Sequence, residues 1–375
     1  MGIEVLIYCY GIICVSMIVF NCICIAVFHS SDRRLTKKSR RFEKNLEEQL
    51  SLIRDGKTIT LSHQAYLNKA LTRAGRLMAF DDCLDKTLQS EKELAEQYLV
   101  QASPVFIHLS LVYLNKKDTV QTAYYAYFLA KYKLCRQIPF GSILEVLLEF
   151  LKKDSFYCRQ NAMKALYSSL NDEAVVEAVT VLDGMDSFYH AKILTDGLLT
   201  FEGDHKKLIS LLWERFDQLG VDTQVAVLNY IRLKSGAYRD KVFHILLDNG
   251  RDSELHYAAI RYLGRYPYEP ARSTLQAFAS DTNPLRWNYA SCSASSLAFY
   301  PGSDTVTILK KALGHANWYV RYNAAQSLDR FGLSYSELVD IMNGNDRYAR
   351  EMIAYRIEAR KLKNKPSAIP KEVTP

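Results

Sequence analysis

Four arginines recur at one place in a repeating pattern. Arg159, Arg286, Arg321 and Arg350 each follow an Asp or Asn by four or five residues, in segments that read as helix starts. A guanidinium is always charged and presents a planar fork of donors that fits a carboxylate or phosphate. Arginines so spaced either tie one repeat to the next or lay out a basic stripe for an acidic partner segment. Aromatic residues stand beside them, as in Arg286-Trp287 and Trp318-Tyr319. Trp, Tyr and Arg are the types enriched where binding energy concentrates. The candidate partner-binding residues are therefore Arg286, Trp287, Trp318, Tyr319, Arg321 and Arg350.

Covalent or acid–base chemistry has fewer candidates. The thiols of Cys158 and Cys292, with His256 and Glu254, could supply nucleophile, base or acid. The eight histidines are dispersed, and there is no glycine-rich phosphate loop, GxSxG elbow or HExxH pair. Gly203-Asp204-His205 reads as a turn. No metal and no cofactor is expected, and the balance favours a protein that is not an enzyme.

The arginines sit in a larger self-similarity. Asp154, Asp186, Asp222, Asp252, Asp281, Asn317 and Asp346 open units 29–36 residues apart, with Asp118 and Asp82 extending the series backwards. An Asp or Asn at such a place caps a helix, and small residues such as Ala162, Ala259, Ala324 and Ala325 let helices approach closely. A lone helical hairpin cannot bury its own apolar face, so the units must stack. The segment Val320-Arg321-x-x-Ala324-Ala325-x-x-Leu328 resembles HEAT repeats, particularly the short bacterial kind also seen in phycobilin-lyase-like proteins. The resemblance implies an all-α fold: an α-solenoid of about seven to nine HEAT-like hairpins. It also leaves a lyase, or an accessory subunit of a membrane enzyme such as a glycosyltransferase, as the alternative function. The units at Asp186 and Asp222 depart from the pattern; the latter lacks the arginine.

Composition places these elements. Ile3–Phe28 carries one charged residue, Glu4, and is long enough to cross a bilayer as a single helix. A cleaved signal peptide would begin with basic residues and have a shorter apolar run. The basic residues instead follow the apolar run: Arg33, Arg34, Lys37, Lys38, Arg40 and Arg41, which are expected to meet lipid headgroups. Basic flanks favour the cytoplasmic side, so the expected topology is single-pass, with the N-terminus outside and the body in the cytoplasm.

The expected regions are an anchor (1–28), a basic amphipathic neck (29–56), a helical cap (57–117), the repeats (118–357) and a disordered tail (358–375). The neck should bury Leu35, Phe42, Leu46, Leu50 and Ile53 and stop near Gly56. Ser62 should cap a helix using Leu67, Leu71, Ala74 and Met78. The formal charge of +7 resolves into +5 over residues 32–44, +4 over 356–375 and about zero between. A neutral body argues against nucleic acid. Unpaired Cys83, Cys135, Cys158 and Cys292 fit free thiols in a reducing compartment. The expected partner is a protein, another membrane protein or its cytoplasmic domain, gripped by a tethered scaffold.

Overall fold

In the computed structural model the apolar run and the basic run form one helix, α1 (Ile3–Arg54), of 52 residues. The structure describes residues 2–136, 141–185 and 190–363, with the side chains of 3–7, 26–35, 142 and 360–363 excepted. Along α1 the window Tyr8–Ile25 has a mean hydropathy of 2.1 and none of it is buried, so this helix is long and apolar enough to span a membrane.

From Ser39 the same helix enters the body. Ser39, Phe42, Leu46, Leu50 and Ile53 recur every three or four residues and are all buried. They face α3 (Ala74–Ser90) and α4 (Lys92–Gln101). The Ser39 hydroxyl donates to Asp82 on α3 at 2.7 Å. The helix ends where the glycine permits: Gly56 has φ +74°, and its amide donates to the Ile53 carbonyl at 2.9 Å.

Three local expectations are corrected here. Thr60, not Ser62, caps the next helix, α2 (Leu61–Ala70), accepting from the His63 amide. The apolar series Leu67, Leu71, Ala74, Met78 does not share one helix. The chain breaks after Ala70 and restarts as α3, which leaves Met78 on the surface. Asp82 caps nothing, because it lies inside α3.

All regular elements among the described residues are helices, and contacts gather them into two units. The first is Met1–Ser187 with Thr200–Asp204. After α4 it contains α5 (Ser103–Leu114), α6 (Thr119–Lys131), α7 (Gly141–Leu151), α8 (Phe156–Tyr167) and α9 (Asp172–Asp183). Neighbours in sequence pack together, and so do helices two apart: α5 with α7, α6 with α8, α7 with α9. That is the contact pattern of stacked hairpins. A polar knot ties α3 to α6. Buried Asp81 accepts from Tyr124 at 2.6 Å and Lys131 at 2.7 Å, and from Tyr132, just past α6, at 2.6 Å.

The second unit is Phe188–Leu199 with His205–Pro375. Its helices are α10 (Ala191–Leu199), α11 (His205–Glu214), α12 (Val221–Lys234), α13 (Arg239–Leu247), α14 (Ser253–Arg265) and α15 (Arg272–Ala279). There follow α16 (Trp287–Ser296), α17 (Ser303–Ala312), α18 (Trp318–Arg330), α19 (Val339–Met342) and α20 (Arg347–Lys363). The even-numbered helices pack in a row from α10 to α20, and α15 packs on α17 behind them. Buried Ala259, Ala324 and Ala325 lie in this row, as their size requires. The contacts thus divide the chain near residue 187. The helix at the end runs to Lys363, past the expected start of the tail at 358; residues 364–375 lie outside those described.

Of the eight expected caps among the described residues four hold; Asp82, Asp154, Asp222 and Asp281 do not cap, Asp281 accepting from the Asn283 amide while Asn283 caps the turn after it. Asp118, Asp252 and Asn317 accept from the amides of Val120, Glu254 and Tyr319. Asp346 accepts from Ala349. At α8 the neighbour of Asp154, Ser155, does the capping. Asp222 lies within α12, behind Gly220, and Asp186 is outside the described residues. Abundant tyrosine also finds a structural use. Tyr262 and Tyr300 are fully buried, and their hydroxyls donate to the carbonyls of Ser235 and Leu263 on the preceding repeat. Each also accepts an amide, from Tyr238 and Tyr268.

Candidate functional site

The recurring arginines are mostly spent inside the repeats. Arg159, Arg321 and Arg350 each reach back six residues, to the carbonyls of Lys153, His315 and Gly344 in the turn before their own helix. Arg321 also gives both carboxylate oxygens of Asp346, in the next repeat, a bond of 3.0 Å. This is the internal tie, so Arg321 and Arg350 do not form a free basic stripe. Where the arginine is missing, other side chains make the same bond to the preceding turn: Thr122 to Tyr113, Gln224 to Phe216 and His256 to Asp248. Arg286 differs. It is exposed, pairs with Asp281 at 3.3 Å and lies over the Tyr289 ring at 5.2 Å.

The aromatic candidates do come together. Trp287 on α16 stacks on Tyr319 of α18, with ring centres 5.6 Å apart and planes 21° from parallel. Trp318 meets Tyr319 edge-on and stacks on Tyr322 at 4.9 Å. Trp318 and Tyr319 are each more than half exposed. Beside them a cleft of about 510 Å³ opens between Trp318, Arg321, Tyr348, Met352 and Tyr355. Exposed rings in a contiguous run are costly to leave in water and are typical of a contact surface.

A larger groove, about 670 Å³, runs across α12, α14, α16 and α18. It exists because these helices pack side by side. Gly264 allows the closest approach, since a Cβ there would stand 3.0 Å from the Cα of Ser296. One wall carries Arg232, Arg261 and Arg265; the other carries Trp287, Asn288, Ser295 and Tyr319. Among the described residues no Asp or Glu lines it. The Nε of Arg232 is buried with no hydrogen-bond partner. Burial, with Arg261 and Arg265 nearby, holds the Arg232 guanidinium below its ordinary pKa. These three arginines lie outside the repeat pattern read from the sequence. The available signal was Arg261 and Arg265 at i and i+4, on one helix face with no acid beside them.

The groups considered for catalysis are dispersed. Cys158 is buried in the first unit, and burial pushes its thiol up to about 11. Cys292 lies in the groove of the second unit, where burial raises its pKa although Arg261 hydrogen-bonds it. Both nitrogens of His256 are engaged, one with the Asp248 carbonyl and one with the Tyr289 hydroxyl at 2.8 Å. Glu254 is exposed at the start of α14. Among the described residues no three His, Cys, Asp or Glu side chains gather as a metal site requires.

No protein-family model matches the chain, and no curated protein matches it. Solved structures with some likeness to the chain include an engineered protein, 18% identical, with 78% of this chain and 87% of that chain covered at a TM-score of 0.34. They also include human deoxyhypusine hydroxylase in complex with glycerol, 16% identical, with 80% and 96% covered at a TM-score of 0.28. Likeness this distant leaves the fold to be read from the helices themselves. One expectation is corrected: that the chain is not an enzyme is withdrawn, since one of these structures is by its name an enzyme and a fold alone does not decide function.

Proposed function

We propose that the chain is a HEAT-like repeat protein tethered by residues 3–28 to the cell membrane, single-pass with its N-terminus outside. Its body then grips a protein partner at the cytoplasmic face, another membrane protein or its cytoplasmic domain. The tether reading is supported by the bare apolar half of α1 and by Lys37, Lys38, Arg40 and Arg41, all exposed just beyond it. Arg33 and Arg34 precede these on the same helix; their side chains are outside those described. Basic groups so placed meet anionic headgroups at about 1 kcal/mol each. Tethering raises the effective concentration of the body toward other membrane proteins without any new contact.

The observation that carries the docking reading is the stacked run of half-buried Trp287 with exposed Tyr319 and Trp318, beside the cleft lined by Tyr348 and Tyr355. Rigid aromatic rings give contact area at low entropic cost. The test is affinity capture of the full-length chain from detergent-solubilised membranes at native expression, beside a Trp318→Ala/Tyr319→Ala variant of unchanged thermal stability. One protein recovered in stoichiometric amount with the wild type and lost with the variant is expected. Recovery of the bait alone, or of the same protein with both, overturns the reading.

A further inference from the structure

We propose that Arg232, Arg261 and Arg265 form a binding site for a phosphoryl-bearing anion in the groove across α12, α14, α16 and α18. The inference goes beyond protein docking and does not depend on it. Several other arginines of the second unit are neutralised or stacked. Arg251 pairs with Asp217 and Asp248, Arg272 with Glu269, Arg286 with Asp281 and Arg321 with Asp346. Arg330 and Arg356 lie on the rings of Phe299 and Tyr322 at 4.0 and 4.4 Å. Arg261 hydrogen-bonds the Cys292 thiol and Arg265 lies over the Tyr266 ring at 5.9 Å, but among the described residues none of the three groove arginines forms an ion pair with a carboxylate, and two adjacent helices deliver them to one wall.

Three like charges sharing a half-enclosed groove repel one another, and the repulsion is strongest where water is scarcest, at the half-buried Arg232. A bound polyanion converts that repulsion into attraction. A single carboxylate, with one charge and two oxygens, would leave most of it in place. A phosphate monoester or diphosphate offers up to two or more charges and three or more oxygens, which guanidinium forks approach from different directions. The buried Nε of Arg232, without a partner, is a donor that such an oxygen would satisfy. Asn288 and Ser295 on the facing wall add neutral donors. The volume, about 670 Å³, suits a small organic phosphate or a lipid headgroup. Trp287 and Tyr319 at the rim would take the remainder of either ligand.

The shared chemistry is the phosphoryl group, and the test separates its sources. The full-length chain in detergent is titrated calorimetrically, at fixed ionic strength, with inorganic phosphate, with pyrophosphate and with dihexanoyl phosphatidic acid. Saturable one-to-one binding is expected, tightest for pyrophosphate if the ligand is a free phosphate and for phosphatidic acid if it is a lipid. The exposed pair Arg261→Gln/Arg265→Gln should weaken it about tenfold or more, while Arg251→Gln, away from the groove lining, leaves it unchanged. Arg232→Met should weaken it similarly without lowering the melting temperature, since it removes a half-buried charge that lacks an acidic partner. Absence of saturable binding by all three probes overturns the proposal. So does equal affinity in the wild type and the Arg261→Gln/Arg265→Gln variant.

Discussion

The bond between Arg321 and Asp346 is where one repeat is fastened to the next, and its strength can be predicted. The Arg321 side chain is only 15% exposed and that of Asp346 36%. One guanidinium nitrogen reaches both carboxylate oxygens at 3.0 Å, while Nε is held by the His315 carbonyl. A hydrogen bond between charged groups contributes about 1.5–3 kcal/mol, and partial exposure of the acid reduces that to about 1–2 kcal/mol. A double-mutant cycle with Arg321→Met and Asp346→Asn, followed by urea unfolding, should return that coupling. The pair Arg347–Glu351 is the control. It is as close, at 2.6 Å, but its side chains are 77% and 57% exposed, and its coupling should be clearly smaller. The Ala349 amide and then Arg321 hold the Asp346 carboxyl below the usual carboxylate range. Its contribution is therefore complete above that range and lost as the pH falls through it, so Arg321→Met should flatten acid unfolding. Equal coupling in the two pairs would refute the argument from burial.

Three further outcomes are expected. Burial pushes the His63 imidazole down to about 4 while the unfolded chain titrates near 6.5, so stability is full above 6.5 and falls by about 3 kcal/mol as the pH drops toward 4; His63→Gln should remove most of that slope in urea titrations. Gly264→Ala should cost about 1–3 kcal/mol, because its Cβ would stand 2.7 Å from the Ser296 Cβ; wild-type stability in the variant would show that α14 and α16 are not locked there. Brief alkylation of the native chain at pH 8, read by mass spectrometry, should label half-exposed Cys292 before Cys83, Cys135 and Cys158, whose buried thiols are pushed up to about 12, 12 and 11.

What could be read in the chain beforehand was what is local or periodic. Asp118, Asp252 and Asn317 cap because a cap needs only its own first turn. Phe42, Leu46, Leu50 and Ile53 point inward because their spacing is that of one helix face. Asp82 broke the series because a continuous α3 passes through it. The arginine pattern was visible, but its purpose was not. The bond it makes is to a backbone carbonyl, which has no sequence signature, and Thr122, Gln224 and His256 make it with unrelated chemistry. The groove arginines were hidden for a different reason. Arg232 lies on another helix from Arg261 and Arg265, and only packing of α12 on α14 brings them to one wall.

The unbroken course of α1 fixes a phase as well as a connection. Between Phe28, the last residue of the apolar run, and Ser39, buried in the body, the helix contains neither Gly nor Pro. The face on which the first unit packs is therefore geared to the apolar segment like a head keyed to its shaft. Four extra residues in this stretch would advance the unit by about 6 Å and turn it by about 40° around the helix axis. Altering the length of the linker would redirect every surface of that unit at once, without changing a residue in it.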